Sequence, residues 1–373
     1  MFCCCNKQRH RHSEMHDIDD KLTIPTLRSQ FSLDLNDAND GYYRAPEIDL
    51  SVYDKVIVFC SGGKDSIACL LHLLDSGVPT DKIEAWHHDV DGATETFMDW
   101  PFMTSYNHKL CSYLNVPLYL SWLAGGFKQE MLKENSYSRE HVIETPAGTI
   151  TLPRDHKRSK PATRMKFPQQ SASLSTRYCS SVLKIDIGRR ALTNQSRFDH
   201  SKTLVVSGER REESPGRSRY RQFEINTTDT RNGKKARHVD TWRPVLDWDE
   251  SQVWSMLEKH RIIPPIPYRL GYSRSSCQTC IFNSRRIWAT VKKYFPERVK
   301  EIAAYEDSFG TAISRTGKNV IQISEHVEPI EISDIEALEQ AKNNDYALPV
   351  VLQNHERWVL PPGAYSTESA GSI

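Results

Sequence analysis

Residues 55–77, KVIVFCSGGKDSIACLLHLLDSG, decide how the rest of the chain is read. The run KVIVF is short, apolar and rich in β-branched residues, which predicts a buried parallel strand. After Ser61, Gly62 and Gly63, the residues Ile67, Leu70, Leu71 and Leu74 recur at helical spacing, and Gly77 supplies a stop. A strand that turns through glycines into a helix leaves several backbone N–H groups without intrahelical partners, all facing one concavity. The glycines allow close backbone approach, Lys64 adds positive charge, and Asp65 and Ser66 lie at the helix start. This is a phosphate cradle, but its spacing is not the Walker form.

Working outward, strands and helices alternate. Residues 82–92 (KIEAWHHDVDG) read as a strand ending in acidic residues, 95–115 as a helix, and 116–123 (VPLYLSWL) as a strand. Residues 181–195 read as a helix, and 202–214 as a strand running into a charged loop. That alternation predicts an α/β protein with a doubly wound parallel sheet. Four segments are expected: a polar tail over 1–45, a nucleotide-binding α/β domain over 50–245, a helical extension bearing a C-x-x-C over 246–345, and a C-terminal tail over 346–373 that frays at its end. An Asp at the carboxyl end of a parallel strand lies where open sheets bind ligands, so His88, Asp89 and Asp91 are candidates for ribose or Mg²⁺. Helix capping is the competing role for Asp91.

Charge is uneven along the chain. Between residues 154 and 237 there are 21 Lys and Arg against 8 Asp and Glu, whereas the whole chain is formally +1. Such a block suits DNA, tRNA or a nucleotide, or else a solvated surface. No apolar run approaches the roughly 18 residues of a membrane span, and the start carries no secretory h-region, so a cytoplasmic protein is expected. Nine cysteines are too few and too scattered for a disulfide scaffold. The cluster at residues 3–5 is read as incidental, and Cys60, Cys69 and Cys111 as core residues.

The hexapeptide SGGKDS after an apolar strand resembles the PP-loop of the ATP pyrophosphatases and of the related phosphoadenylyl-sulfate (PAPS) reductases. Two further stretches strengthen the resemblance. Residues 207–217 (SGERREESPGR) resemble the Gly-x-Arg-Arg-x-Glu-Ser-x-x-Arg segment of the reductase branch, which implies that Gly208, Arg210, Arg211, Glu213, Ser214 and Arg217 face an anionic substrate. Residues 175–185 (STRYCSSVLKI) resemble its Arg-x-Cys-x-x-x-x-Lys segment, which places Arg177, Cys179 and Lys184 at the same pocket. The resemblance implies an adenine nucleotide alpha hydrolase-like fold over about residues 50–290, with ATP and Mg²⁺ at the loop.

Residues 271–284 (GYSRSSCQTCIFNS) supply Cys277 and Cys280 at metal-ligand spacing. Iron-sulfur reductases of this kind carry a Cys-Cys pair as well; here Ser180 follows Cys179, leaving three cysteines. They suit a [4Fe-4S] cluster with one open iron, a zinc ion with a further ligand, or no metal. The sulfite-forming reductases of the family use a cysteine near the C-terminus, and none follows Cys280. Together with residues 241–260 (TWRPVLDWDESQVWSMLEKH), this implies a branch resembling the DNA phosphorothioation sulfurtransferases and phage homologues. The expected activity is adenylation of an acceptor with release of pyrophosphate, then sulfur transfer fed by a cysteine desulfurase or another donor. The alternatives are a PAPS or adenylyl-sulfate reductase and a nucleotide-sensing module without turnover.

Overall fold

The computed structural model describes residues 41–171 and 173–366. Residues 1–40 of the expected N-terminal tail, with the cysteines at residues 3–5, lie outside them. β1 (Lys55–Phe59) leads into α1 (Lys64–Asp75), β2 (Ile83–Asp89), α2 (Met103–Tyr113), β3 (Leu118–Leu123) and α3 (Gly126–Met131). A hairpin of β4 (His141–Thr145) and β5 (Gly148–Leu152) follows, then α4 (Tyr178–Ser180), a π-helical turn (Ser181–Ile185) and α5 (Asp186–Thr193). β6 (Lys202–Val206), β7 (Phe223–Ile225) and β8 (His238–Trp242) complete the strands. The helices α6 (Glu250–Lys259), α7 (Ile266–Arg269), α8 (Arg285–Tyr294), α9 (Pro296–Phe309), α10 (Val320–Ile323) and α11 (Ile335–Gln340) close the described chain.

The eight strands form one sheet in the order β5-β4-β3-β2-β1-β6-β8-β7. Its centre, β3 to β8, is parallel as the alternation predicted, whereas β4, β5 and β7 join antiparallel at the two edges. The chain winds from β1 outward through β2 and β3, then returns to place β6 on the other side of β1. β1 and β6 therefore flank the topological switch point, where open α/β sheets bind ligands at their carboxyl ends.

Val56, Ile57 and Val58 of β1 and Leu204, Val205 and Val206 of β6 are buried on both faces, as central parallel strands demand. Ile67, Leu70 and Leu71 of α1 pack into the main core, with Cys60, Cys69 and Cys111, all buried as expected. The expected helix over 95–115 begins only at Met103, because Pro101 cannot continue a helix through its own position. Residues 346–366 pack on the rest of the chain: Tyr346 and Val350 are buried, Leu352 N–H donates to Arg261 O at 2.9 Å, and Trp358 Nε1 donates to Ile262 O at 2.8 Å. Their backbone partners belong to distant residues, which periodicity cannot register. The end expected to fray, residues 367–373, lies outside the described residues.

Candidate functional site

The loop after β1 and the loop after β6 meet at the switch point. The N-cap of α1 is Gly63, whose backbone is extended (φ −92°, ψ 158°) and which brings no capping side chain. The first-turn amides therefore have no partner in the N-cap residue; that of Lys64 is taken by Tyr268 Oη. Gly62 has φ +74°, and a Cβ there would come within 2.4 Å of Met103 Sδ. Gly208, reaching across from β6, passes so close to the first turn that a Cβ would lie 2.8 Å from the carbonyl carbon of Asp65. Glycine is required at both for that reason. Ser66 Oγ donates to Gly63 O at 2.9 Å and accepts from Ser61 N–H at 3.3 Å, so it ties the loop to itself.

Lys64 is buried. Its ammonium lies 3.6 Å from Asp65 Oδ2 and 3.8 Å from Glu250 Oε1, over the rings of Tyr268 (5.2 Å) and Trp254 (5.8 Å). Burial opposes the charge, but Tyr268, Asp65 and Glu250 outweigh it and hold the ammonium above its ordinary range. Its backbone N–H donates to Tyr268 Oη at 3.3 Å. Neither Glu250 nor Tyr268 was flagged from the sequence: both lie far along the chain, Glu250 in α6 and Tyr268 in the short α7, where the sequence predicts a Pro-rich loop.

The arginines separate into different roles. Arg210 is buried and donates through Nε to Asp65 Oδ1 at 2.5 Å and through Nη1 to Glu212. Arg217 pairs with Glu213, whose Oε2 also accepts from Arg210 N–H at 2.7 Å. Ser214 caps the next turn, accepting from Arg217 N–H at 3.3 Å. Arg211 spends its donors on Asp247 Oδ1 (2.5 Å), on the carbonyls of Ser218 (3.1 Å) and Tyr220 (2.5 Å) and on that of Tyr43, whose ring it covers. It braces the loop against the segment before β1, because the 3-10 turn (Arg211–Glu213) points adjacent side chains in different directions.

The carboxyl end of β2 is also committed. Asp89 accepts from the amides of Asp91, Gly92 and Ala93 at 2.8, 3.1 and 3.0 Å. Asp91 accepts from Met98 and Asp99 N–H at 2.9–3.1 Å, a loop brace rather than a helix cap. Burial, with the charges of Asp99 and Asp89 adding to it, pushes the Asp91 carboxyl up to about 7. His88 Nδ1 bonds Ser121 Oγ at 2.7 Å and its ring lies against Phe59; Nε2 is buried without a partner among the described residues.

The cysteines gather around Lys184. In an α-helix a spacing of five residues leaves two side chains about 140° apart. The π-turn (Ser181–Ile185) tightens that angle and brings Lys184 into the field of Cys179. Protein surrounding Lys184 opposes its charge, but Cys277, Asp99, Cys179 and Cys280 together hold it above its ordinary range. Cys277 and Cys280 share a tight turn, Cys280 N–H donating to Cys277 O at 3.1 Å. The buried Thr279 between them pins that turn to Met98, its N–H donating to Met98 O at 3.1 Å. Burial, then the neighbouring Cys280, push the Cys179 thiol up to about 11, with Lys184 pulling against them. Arg177 stands over Phe282 at 5.8 Å, and its buried Nε has no partner among the described residues. Asp99, missed from the sequence, completes the recess; Pro101 was the signal that its segment is a loop.

The loop 271–284 joins both halves. A Cβ on Gly63 would lie 3.5 Å from Ser275 Cβ, and Cys277 follows two residues later at Asp99 and Lys184. The recess does not make a metal centre as it stands: among the described residues, no three His, Cys, Asp or Glu side chains form a group able to hold an ion. Nor is any helix among them long and apolar enough to cross a membrane.

Residues 149–282 match the family model described as phosphoadenosine phosphosulfate reductase domain. That span contains Arg177, Cys179, Lys184, the 208–217 loop and both later cysteines, while the glycine loop at 61–66 precedes it. A protein of Escherichia phage 186, described as an uncharacterized 37.8 kDa protein in the gpa 5' region, is 24% identical over 314 residues, covering 78% of this chain and 87% of its own. A crystal structure of Candida glabrata FMN adenylyltransferase with FMN and the ATP analog AMPCPP aligns over 81% of this chain and 80% of its own, at 11% identity and a TM-score of 0.31.

Proposed function

We propose that this chain, which carries a phosphoadenosine phosphosulfate reductase domain over residues 149–282, is a cytoplasmic PP-loop enzyme that binds ATP, adenylates an acceptor and passes sulfur to it. The observation that carries the reading is the convergence of two pieces of chemistry at one sheet edge. A glycine-rich helix start whose N-cap brings no side chain follows β1, and a recess of three thiols with Lys184 stands beside it, joined by the loop 271–284.

Phosphates of ATP, with the Mg²⁺ that accompanies them, lie against the amides at residues 61–66, and Lys64 lends its charge from beneath. Arg210 keeps Asp65 from opposing those phosphates. Arg177 and Lys184 are the cations left to meet anionic oxygens on the acceptor side. An acceptor oxygen attacks the alpha phosphorus and pyrophosphate leaves. A persulfide sulfur that a cysteine desulfurase has placed on one of the thiols Cys179, Cys277 and Cys280 then displaces AMP from the activated acceptor. A second of these thiols cleaves the resulting acceptor–cysteine disulfide, freeing the thiolated acceptor and leaving a protein disulfide for an external thiol to reduce. No step is assigned to iron-sulfur or zinc chemistry, because the donor set does not assemble one.

The second reading, reduction of PAPS or adenylyl sulfate to sulfite, draws on the same family match. Incubating the protein separately with labelled ATP and labelled PAPS, then identifying the products, tests both. Acceptor-dependent AMP and pyrophosphate that vanish in Lys64→Ala support the first. Thioredoxin-dependent sulfite establishes the second, and tight nucleotide binding without any product leaves a sensing module.

A further inference from the structure

The basic block that the sequence shows between residues 154 and 237 divides in two once its partners are known. Beyond Arg177 the guanidinium groups are largely committed to carboxylates: Arg190 to Asp186 at 2.9 Å, Arg197 to Glu84, Arg210 to Asp65, Arg231 to Asp240 at 2.6 Å, and Arg237 to Asp199 at 2.9 Å. The segment 154–166 differs. It holds Arg154, Lys157, Arg158, Lys160, Arg164 and Lys166 against a single carboxylate, Asp155. Lys157, Lys160 and Lys166 are exposed, and neither they nor Arg154 form an ion pair among the described residues. Arg158 has 89% of its side chain exposed and reaches Asp155 only at 3.5 Å, a surface contact that neutralises little.

This segment leaves β5, the edge strand of the sheet, and is held at both ends. Ala162 and Ser136 exchange backbone hydrogen bonds, and Arg164 N–H donates to Lys133 O at 2.8 Å. His156 lies flat on Tyr137, ring centroids 4.2 Å apart and planes 8° from parallel. The far end of the segment runs to the cysteine recess: Tyr178 Oη donates to Lys166 O at 3.0 Å, the Arg164 guanidinium covers the Tyr178 ring at 4.2 Å, and Cys179 is the next residue.

We propose that the β4–β5 hairpin and residues 154–166 form an arm that holds the backbone of a nucleic acid strand and leads it to the cysteine recess. The unpaired Lys157, Lys160 and Lys166, with the weakly paired Arg158 among them, answer the phosphates of a strand at spacings of a few residues, whereas Arg164 is held by Glu130 at 2.7 Å. The exposed imidazole of the Tyr137–His156 pair offers a platform on which a base stacks. A protein partner would need an apolar anchor, and Met165 is the one large exposed apolar side chain between residues 150 and 166. The strand's role as the adenylated acceptor rests on the proposed reaction; its binding to the arm does not.

The test uses the full chain and fluorescein-labelled single strands of DNA and RNA about 20 nucleotides long, read by anisotropy, with ATP binding measured in parallel. Affinity is expected to fall at least about ten-fold between about 50 and 200 mM NaCl. The triple variant Lys157→Glu, Arg158→Glu, Lys160→Glu should bind at least about ten-fold more weakly at low salt and lower the salt slope by about 2, with ATP affinity unchanged. Lys292→Glu, Lys293→Glu, Lys300→Glu, on the exposed faces of α8 and α9, should bind as wild type. His156→Ala should lose about three- to ten-fold while keeping the salt slope. Wild-type binding by the arm variant, equal loss in both triple variants, or polyglutamate competing as well as nucleic acid charge for charge would each overturn the arm. Strand binding that is retained while ATP yields no pyrophosphate would overturn the adenylation reading and leave the arm standing.

Discussion

Lys64 Nζ lies 3.8 Å from Glu250 Oε1, although 186 residues separate them, and the same carboxylate oxygen accepts from Trp254 Nε1 at 3.0 Å. The positive charge of the glycine loop is therefore shared with a helix outside the motif. An incoming triphosphate competes with Glu250 for it.

Removing that competitor should favour the ligand. Glu250→Gln keeps the side-chain shape and an acceptor for Trp254 while deleting one negative charge near the phosphates. ATP affinity should rise about three- to ten-fold, equivalent to about 1 kcal/mol. Isothermal titration of the two proteins at equal ionic strength checks it, and weaker binding by the variant would show that Glu250 positions Lys64 rather than restrains it.

Gly208 governs how closely the loop after β6 can approach α1. In Gly208→Ala the added methyl meets the backbone of Asp65 and Ser66 at 2.8–3.0 Å, and backbone cannot yield as a side-chain end can. The variant should lose about 1–3 kcal/mol of stability. Its ATP binding should fall even where it remains folded, because the displaced turn carries the phosphate-facing amides. Urea unfolding and nucleotide titration together measure both effects.

Arg211 and Arg217 should not behave alike. Arg211 is consumed by Asp247 and by three carbonyls, so Arg211→Ala should lower the thermal midpoint while changing ATP affinity less than about two-fold; each lost charge-assisted hydrogen bond is worth about 1.5–3 kcal/mol at most. Arg217→Ala frees Glu213 beside the loop and should weaken nucleotide binding more than it lowers stability. Differential scanning fluorimetry with and without ATP separates the two patterns.

Asp91 sets a pH dependence of stability. Its carboxyl titrates at about 7 in the folded chain, against about 4 when unfolded. Between those values the folded state keeps a proton that the unfolded state has released, so this group makes stability fall as pH rises from about 4 to about 7 and adds nothing further above that. Asp91→Asn should remove this group's share of the decline and leave that of Asp99, whose carboxyl burial pushes up to about 6. Comparing urea midpoints of the two proteins at pH 5, 6, 7 and 8 tests it: their difference should change up to about pH 7 and then level off.

Much of the site was legible wherever contacts are local. The glycine loop, its helix and the buried strand before it follow from residues 55–77, since turn, cap and period all act within a few residues. The parallel centre of the sheet followed from alternation. The antiparallel hairpin β4–β5 did not, because its residues are half-exposed and alternate weakly, and the ordered segment 346–366 did not, because its partners lie far back in the chain, among them residues 261–263 and α2. Of the arginines after β6, the motif correctly collected them in one loop but could not say that Arg211 turns away from it.

By itself the sequence determined a phosphate-gripping loop at the end of a buried strand, three cysteines downstream and a basic stretch between them. Only the tertiary structure decided which charges remain available. Lys64 is held by Glu250, Arg210 by Asp65 and Arg211 by Asp247, while Lys184, turned by a π-helical step, stands among the thiols, and Lys157, Arg158, Lys160 and Lys166 keep their charge exposed. The physical reason is that an ion's availability depends on the counter-ions packed within a few ångströms of it, and those come from segments far apart in the chain.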